Sequence, residues 1–109
     1  MNMADMFGKL TEFQQKMDEA KEQLKHLEVE AEAGGGMVKV TANGNREIIS
    51  IKLDRDIVDP NDTEMLEDLI TAGINQAIKK ADDAAQDKMS EVTKGMLPGG
   101  FDLGNLGMK

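Results

Sequence analysis

The side chains with the widest catalytic range are scarce in this chain. Cysteine is absent and His26 is the single histidine. A zinc–thiolate centre, a thiolate nucleophile and a Cys–His pair therefore have no residues to form from. His26 falls at an outward position of a helical repeat, where an imidazole is solvated. Asp54, Asp56, Asp59 and Asp62 lie close together, but without the glycine and closing glutamate of a calcium loop. That run reads as a solvated turn whose aspartates cap nearby backbone N–H groups. Gly34-Gly35-Gly36 precedes the strand-like Met37-Val38-Lys39, whereas a phosphate-cradling glycine loop opens a helix. No pair of carboxylates falls in an apolar setting. The residues point away from an enzyme, and they imply no cofactor, metal or small-molecule substrate.

The chemistry left is that of charge. Lys9 and Lys16 share one flanking position of the first helical repeat, and Lys79, Lys80, Lys88 and Lys94 lie along a second helix. Ammonium groups so placed can meet phosphates, or they can simply solvate helices beside Glu12, Asp18 and Glu22. The net charge of −8 taken alone argues against nucleic acid, whose binders usually carry a basic excess. Tyr and Trp are absent, which removes the usual stacking platforms for single strands. Residues 1–32 and 61–94 each carry 8 acids against 4 bases, while residues 33–60 balance at 4 of each.

The elements that must position these charges follow from periodicity. Met3, Met6, Leu10, Phe13, Met17, Ala20, Leu24 and Leu27 recur at alternating steps of three and four, a heptad seam that predicts a helix over residues 4–27. From Glu28 the pattern alternates polar and apolar, which predicts a strand over 28–33. A second strand over 37–43 puts Val38, Val40 and Ala42 on one face. A third over 46–53 does the same for Ile49, Ile51 and Leu53. Matching these faces pairs Val40 with Ile49 and Val38 with Ile51, and closes the hairpin at Gly44-Asn45 as a two-residue primed turn. Thr41 then faces Ile48, and Lys39 faces Ser50. Ile57-Val58 are available to plug the core edge. Asp59 or Asn61 can cap a second helix over about 63–94, with Pro60 in its first turn.

The expected fold is α+β: a long helix, a three-stranded antiparallel sheet and a second long helix in one domain over 1–94. A Gly-rich tail follows over 95–109 and is expected to be disordered. The second helix, about 48 Å long, outgrows strands of about 27 Å. Its far half and the heptad seam therefore leave apolar surface, and a small sheet leaves open edges. Self-association as a twofold dimer with projecting helical arms cures both defects. Leu10, Phe13, Leu24, Leu66 and Ile70 are the expected core and dimer residues. No apolar run is long enough to cross a bilayer, and the N-terminus lacks the basic-then-apolar order of a secretory signal, so the expected setting is cytoplasmic with no membrane partner.

Several stretches together resemble the YbaB/EbfC family of bacterial nucleoid-associated proteins. They are Gln14-Gln15-Lys16-Met17 in the first helix, Gly36-Met37-Val38-Lys39-Val40-Thr41 with Asn43-Gly44, and Glu64-Met65-Leu66-Glu67-Asp68-Leu69-Ile70. Asn75-Gln76-Ala77 and the ending Gly95-Met96-Leu97-Pro98-Gly99-Gly100-Phe101 complete the likeness. The resemblance implies a helix–three strand–helix fold, a tweezer-like homodimer and double-stranded DNA as partner. It also implies a nucleoid location and a role in nucleoid organisation or gene expression. Lys9, Lys16, Lys79 and Lys80 are the expected DNA contacts. The alternative is a prefoldin-like clamp, which also holds proteins with helical arms on a small sheet.

Overall fold

The structure, a computed structural model, describes residues 2–96. Its elements run α1 (Met3–His26), β1 (Glu28–Ala33), β2 (Val38–Asn43), β3 (Ile48–Leu53), a 3-10 turn (Arg55–Ile57) and α2 (Thr63–Met96). The expected helix–sheet–helix order is therefore found. The tail expected from Gly95 starts later, because α2 runs on through Gly95 to Met96, and residues 97–109 of that expectation lie outside the described range.

Each helix start has a local cause. Asn2 accepts from Asp5 N at 2.9 Å, satisfying one of the N–H groups that a helix start leaves unpaired. In α2 the cap is Asp62, whose carboxylate accepts from Met65 N at 3.3 Å. This corrects the expected caps. Asp59 instead folds the preceding turn by accepting from Asn61 N at 2.9 Å, and Pro60 lies in that turn rather than in the helix. Of the pair expected to plug the core edge, Ile57 is buried and Val58 is exposed. The short 3-10 turn has room to aim only one of two adjacent side chains inward.

The three strands form one antiparallel sheet in the order β1-β2-β3. α2 crosses one face of it, lying on β1 and β2 and scarcely reaching β3. The core sits in that layer. Ala31, Val38, Val40 and Ala42 from the sheet meet Ala77 and Ala81 from α2, with Ile57 closing one end and Leu66, Leu69 and Ile74 packed around them. The residues on α2 that face the sheet are small, so the helix lies close to it.

The β2–β3 pairing differs from the expected one. Val38 pairs with Leu53, Lys39 with Lys52, Val40 with Ile51, Thr41 with Ser50 and Ala42 with Ile48, with an irregularity between Thr41 and Ala42. Asn43 N donates to Glu47 O at 3.0 Å, so the loop has three residues, Gly44, Asn45 and Arg46. A three-residue loop shifts the register by one, which by itself would turn every apolar side chain of β3 to the wrong face. The bulge at Ile49 adds a second step and restores the face. Hydrophobic alternation is blind to a two-step slide. Asn43 decides the matter, because its side-chain oxygen accepts from both Asn45 N (3.0 Å) and Glu47 N (3.1 Å), and its amide donates to Glu47 Oε1 at 2.8 Å.

Arg46 closes this loop at φ 63°, the left-handed region where glycine is usual. Its guanidinium meets Asp82 of α2 at 2.8 Å. The left-handed backbone costs about 1–2 kcal/mol, and a largely exposed ion pair returns about 0.2–1 kcal/mol. Arg46→Gly should therefore change stability by no more than about 1 kcal/mol despite losing the pair, because relief of strain offsets the loss. Arg46→Val keeps the strain and adds branching, so it should be the worse of the two by about 1–2 kcal/mol. Urea denaturation midpoints of the two variants check the order; equal midpoints would show that the loop conformation carries no strain.

α1 reaches the molecule at the same end. Its last turn rests on the hairpin loop, with Gly44 N donating to Leu24 O at 2.9 Å. The Arg46–Asp82 pair marks where α2 leaves that end of the sheet. Beyond it Ala84, Ala85, Lys88, Met89, Val92 and Thr93 are half-buried at helical spacing, the stripe on which α1 packs antiparallel. The two helices thus form an arm, and the described residues measure 70 × 31 × 16 Å.

Candidate nucleic-acid interface

The expected cations are placed on two separate parts of the molecule. Lys9 and Lys16 ride the exposed N-terminal part of the α1 arm. Lys16 lies 3.8 Å from Glu12, one turn away, and Lys9 shares a shallow depression with Asp5 and Glu12. Both therefore sit beside carboxylates. Lys79 is exposed on α2 where that helix crosses the sheet. Lys80 donates to the backbone oxygen of Glu30 at 2.9 Å. Glu30 lies on β1, an edge strand, so this ammonium covers an unpaired carbonyl that would otherwise invite another strand. Lys80 thus has a structural employment that its neighbour lacks.

The sheet face away from α2 adds two cations that the expected register concealed. Lys39 and Lys52 stand directly opposite one another there, with Thr41 and Ser50 one step along on the same face. Glu32, opposite Lys39 on the other side, approaches it only to 4.0 Å. Like charges directly opposed on a sheet repel. Alternation does not reveal this pair: Lys39 faces Lys52 only once Val40 is set opposite Ile51, which the Asn43 loop and the bulge decide.

The apolar residues expected to build the core divide. Leu24 is 7% exposed and sits between α1 and the hairpin loop, and Leu66 and Ile70 are half-buried. Leu10, at 62%, and Phe13 are exposed, along with Met3, Met6 and Phe7. Phe7 and Leu10 line an open groove with Thr11, Gln14, Gln15 and Asp18. α2 therefore covers only the C-terminal part of the heptad seam. Ile48, Ile49, Ile51 and Leu53 are also exposed along β3. His26 is solvent-exposed, with Glu22 at 3.7 Å. Among the described residues, no helix is long and apolar enough to cross a membrane.

A helix–sheet–helix chain of this layout has a known counterpart. The model of the YbaB/EbfC DNA-binding family matches residues 1–96. The chain belongs to that family. A nucleoid-associated protein of Exiguobacterium sp. (strain ATCC BAA-1283 / AT1b) is 48% identical over 99 residues, covering 90% of this chain and 94% of that protein. One from Clostridium novyi (strain NT) is 44% identical over 102 residues, covering 93% and 90%. One from Bacillus thuringiensis (strain Al Hakam) is 45% identical over 101 residues, covering 92% and 93%. A crystal structure of an uncharacterized Helicobacter pylori protein shares the fold, with a TM-score of 0.69 and 22% identity over 90% of this chain and 99% of that one. DNA is thus the partner that the family description names, and that description is of binding rather than of catalysis.

Proposed function

We propose that this YbaB/EbfC family member works in the cytoplasm as a homodimer on the nucleoid. It binds duplex DNA with little sequence preference and affects DNA conformation, nucleoid organisation and through them gene expression. The family match over residues 1–96 carries this reading. Dimerisation is supported by apolar surface that one chain leaves bare. The β3 edge with Ile48, Ile49, Ile51 and Leu53 is one such area, and the α1 seam with Met6, Leu10 and Phe13, flanked by Phe7, is another. Contiguous exposed apolar patches of this kind mark interfaces.

The charge of −8 per chain repels a duplex at long range, so binding must come from local arrays of lysine. An ammonium acts as a point charge and reads no base pattern bidentately, so phosphate contacts dominate and sequence preference is weak. A dimer engaging ~4–8 phosphates gives a log–log salt slope of about −4 to −7. The candidate contacts are Lys9, Lys16, Lys79 and Lys80. Lys79→Glu is the informative variant, because changing Lys80 would also uncover the β1 edge. Fluorescence anisotropy with duplexes of unrelated sequence should show equal weakening for all of them, with the particle mass unchanged. Absence of wild-type binding at ~50 mM salt, where screening is weak, would sink the reading. The exposed Phe7, Leu10 and Phe13 on the arm favour the second reading, a protein-holding clamp, and suppression of aggregation without DNA binding would establish it.

A further inference from the structure

We propose that Asn43–Gly44 is a deamidation site gated by the docking of α1 on the hairpin loop. Asn43–Gly44 is the single Asn-Gly step in the chain; its other asparagines, Asn2, Asn45, Asn61, Asn75 and Asn105, are followed by larger residues. The chemistry is intramolecular acyl transfer. The Gly44 nitrogen loses its proton to hydroxide and attacks Asn43 Cγ. A C–N bond forms, the bond from Cγ to Nδ2 breaks, and ammonia leaves. Water then opens the cyclic imide at either carbonyl, giving an aspartyl or an isoaspartyl residue. The net change is amide and water to carboxylate and ammonium, with no redox step. Glycine favours it because no side chain shields the attacking nitrogen.

The native structure blocks every stage. Gly44 N–H is held by Leu24 O at 2.9 Å, so the attacking nitrogen is engaged and faces α1. The Asn43 carboxamide is turned to Asn45 N, Glu47 N and Glu47 Oε1, at 3.0, 3.1 and 2.8 Å, and not to Gly44 N. Asn43 is 2% exposed, which excludes the water that completes the reaction. The Gly44 restraint rests on α1, whereas the Asn43 carboxamide is held within the hairpin. A Cβ on Gly44 would lie 2.9 Å from Leu24 O and 3.0 Å from Leu24 Cδ2, so the glycine that makes the step reactive is also what lets α1 seat. When the last turn of α1 lifts, the Gly44 amide is freed, and the Asn43 carboxamide is then held only by bonds within the hairpin.

The product cannot return to the native loop. A carboxylate at this position loses the donor that pairs with Glu47 Oε1 and sets two negative charges side by side. The isoaspartyl form also adds a methylene to a loop closed by Arg46 N to Asn43 O at 2.9 Å. Reaction in the open state therefore holds the α1 arm away from the hairpin, a one-way record of arm opening that is independent of the DNA reading.

Peptide mapping by mass spectrometry after incubation in mildly alkaline buffer tests this. The full chain unfolded in urea supplies the ungated rate, and the folded wild type should react far more slowly. Leu24→Ala leaves the Asn-Gly step intact and weakens the seat, so it should raise the rate roughly 30-fold or more. Hydrogen exchange at the Gly44 amide of the folded wild type supplies the open fraction. Its product with the ungated rate is a ceiling that the observed wild-type rate should not exceed, whether or not Leu24→Ala folds. Folded wild type reacting as fast as the urea-unfolded chain overturns the proposal. So does an observed rate above that ceiling.

Discussion

Gly73→Val should remove roughly 3 kcal/mol or more of stability, the largest loss expected from any single change on the sheet-facing side of α2. A Cβ at Gly73 would stand 3.0 Å from Val40 Cγ2 and 3.2 Å from Val38 Cγ1. Both valines are fully buried and branched at Cβ, so neither can swing aside. α2 would have to rise off the sheet along the row that Ala77 and Ala81 continue, opening gaps around all of them. Against this stands the gain in helix propensity on replacing glycine, about 0.5–1 kcal/mol. Gly73→Ala separates the two effects. Its single methyl meets the same atoms but carries no branches, so it should lose less than Gly73→Val. Urea denaturation of both variants gives the comparison. A Gly73→Val protein as stable as wild type would mean that α2 can ride higher on this sheet without penalty.

Ile51→Glu should halve the particle mass measured by light scattering while leaving the helical circular dichroism signal of the folded chain in place. Ile51 sits in the middle of β3, opposite the buried Val40, yet it is 40% exposed because α2 stops short of this strand. On a lone chain a charge there changes a surface position, worth about 0.5 kcal/mol or less. Buried in a twofold interface the same carboxylate would meet its own symmetry mate and lose its hydration, a penalty that association cannot absorb. A large effect on mass with a small effect on fold is therefore the signature of the β3 edge as the meeting surface. Unchanged mass for this variant, with a dimeric wild type, would move the interface to the α1 seam, where Leu10→Glu becomes the decisive change.

The kind and order of the elements are legible in the chain itself because each leaves a local signature. A three-four alternation ran from Met3 to Leu27, and its replacement by strict alternation at Glu28 marked where α1 gives way to β1. Val38, Val40 and Ala42 were legible as a core face for the same reason. The family was legible in word-level matches spread over nearly the whole chain, and the lysines were legible as the only chemistry left once catalytic residues ran out. Tertiary structure alone decided the rest. The β2–β3 register depended on the side chain of Asn43 and on a bulge at Ile49, and a slide that preserves faces leaves no trace in hydrophobic pattern. Which part of the heptad seam is covered depended on where α2 leaves the sheet, which is why Leu24 is buried and Leu10 is bare. Lys79 and Lys80 are neighbours of one type in the sequence, and only the passage of α2 beside the β1 edge separates an exposed ammonium from one bound to Glu30 O. Periodicity reports which side of an element is apolar. What lies against that side is set by long-range packing, whose partners are far apart in the chain.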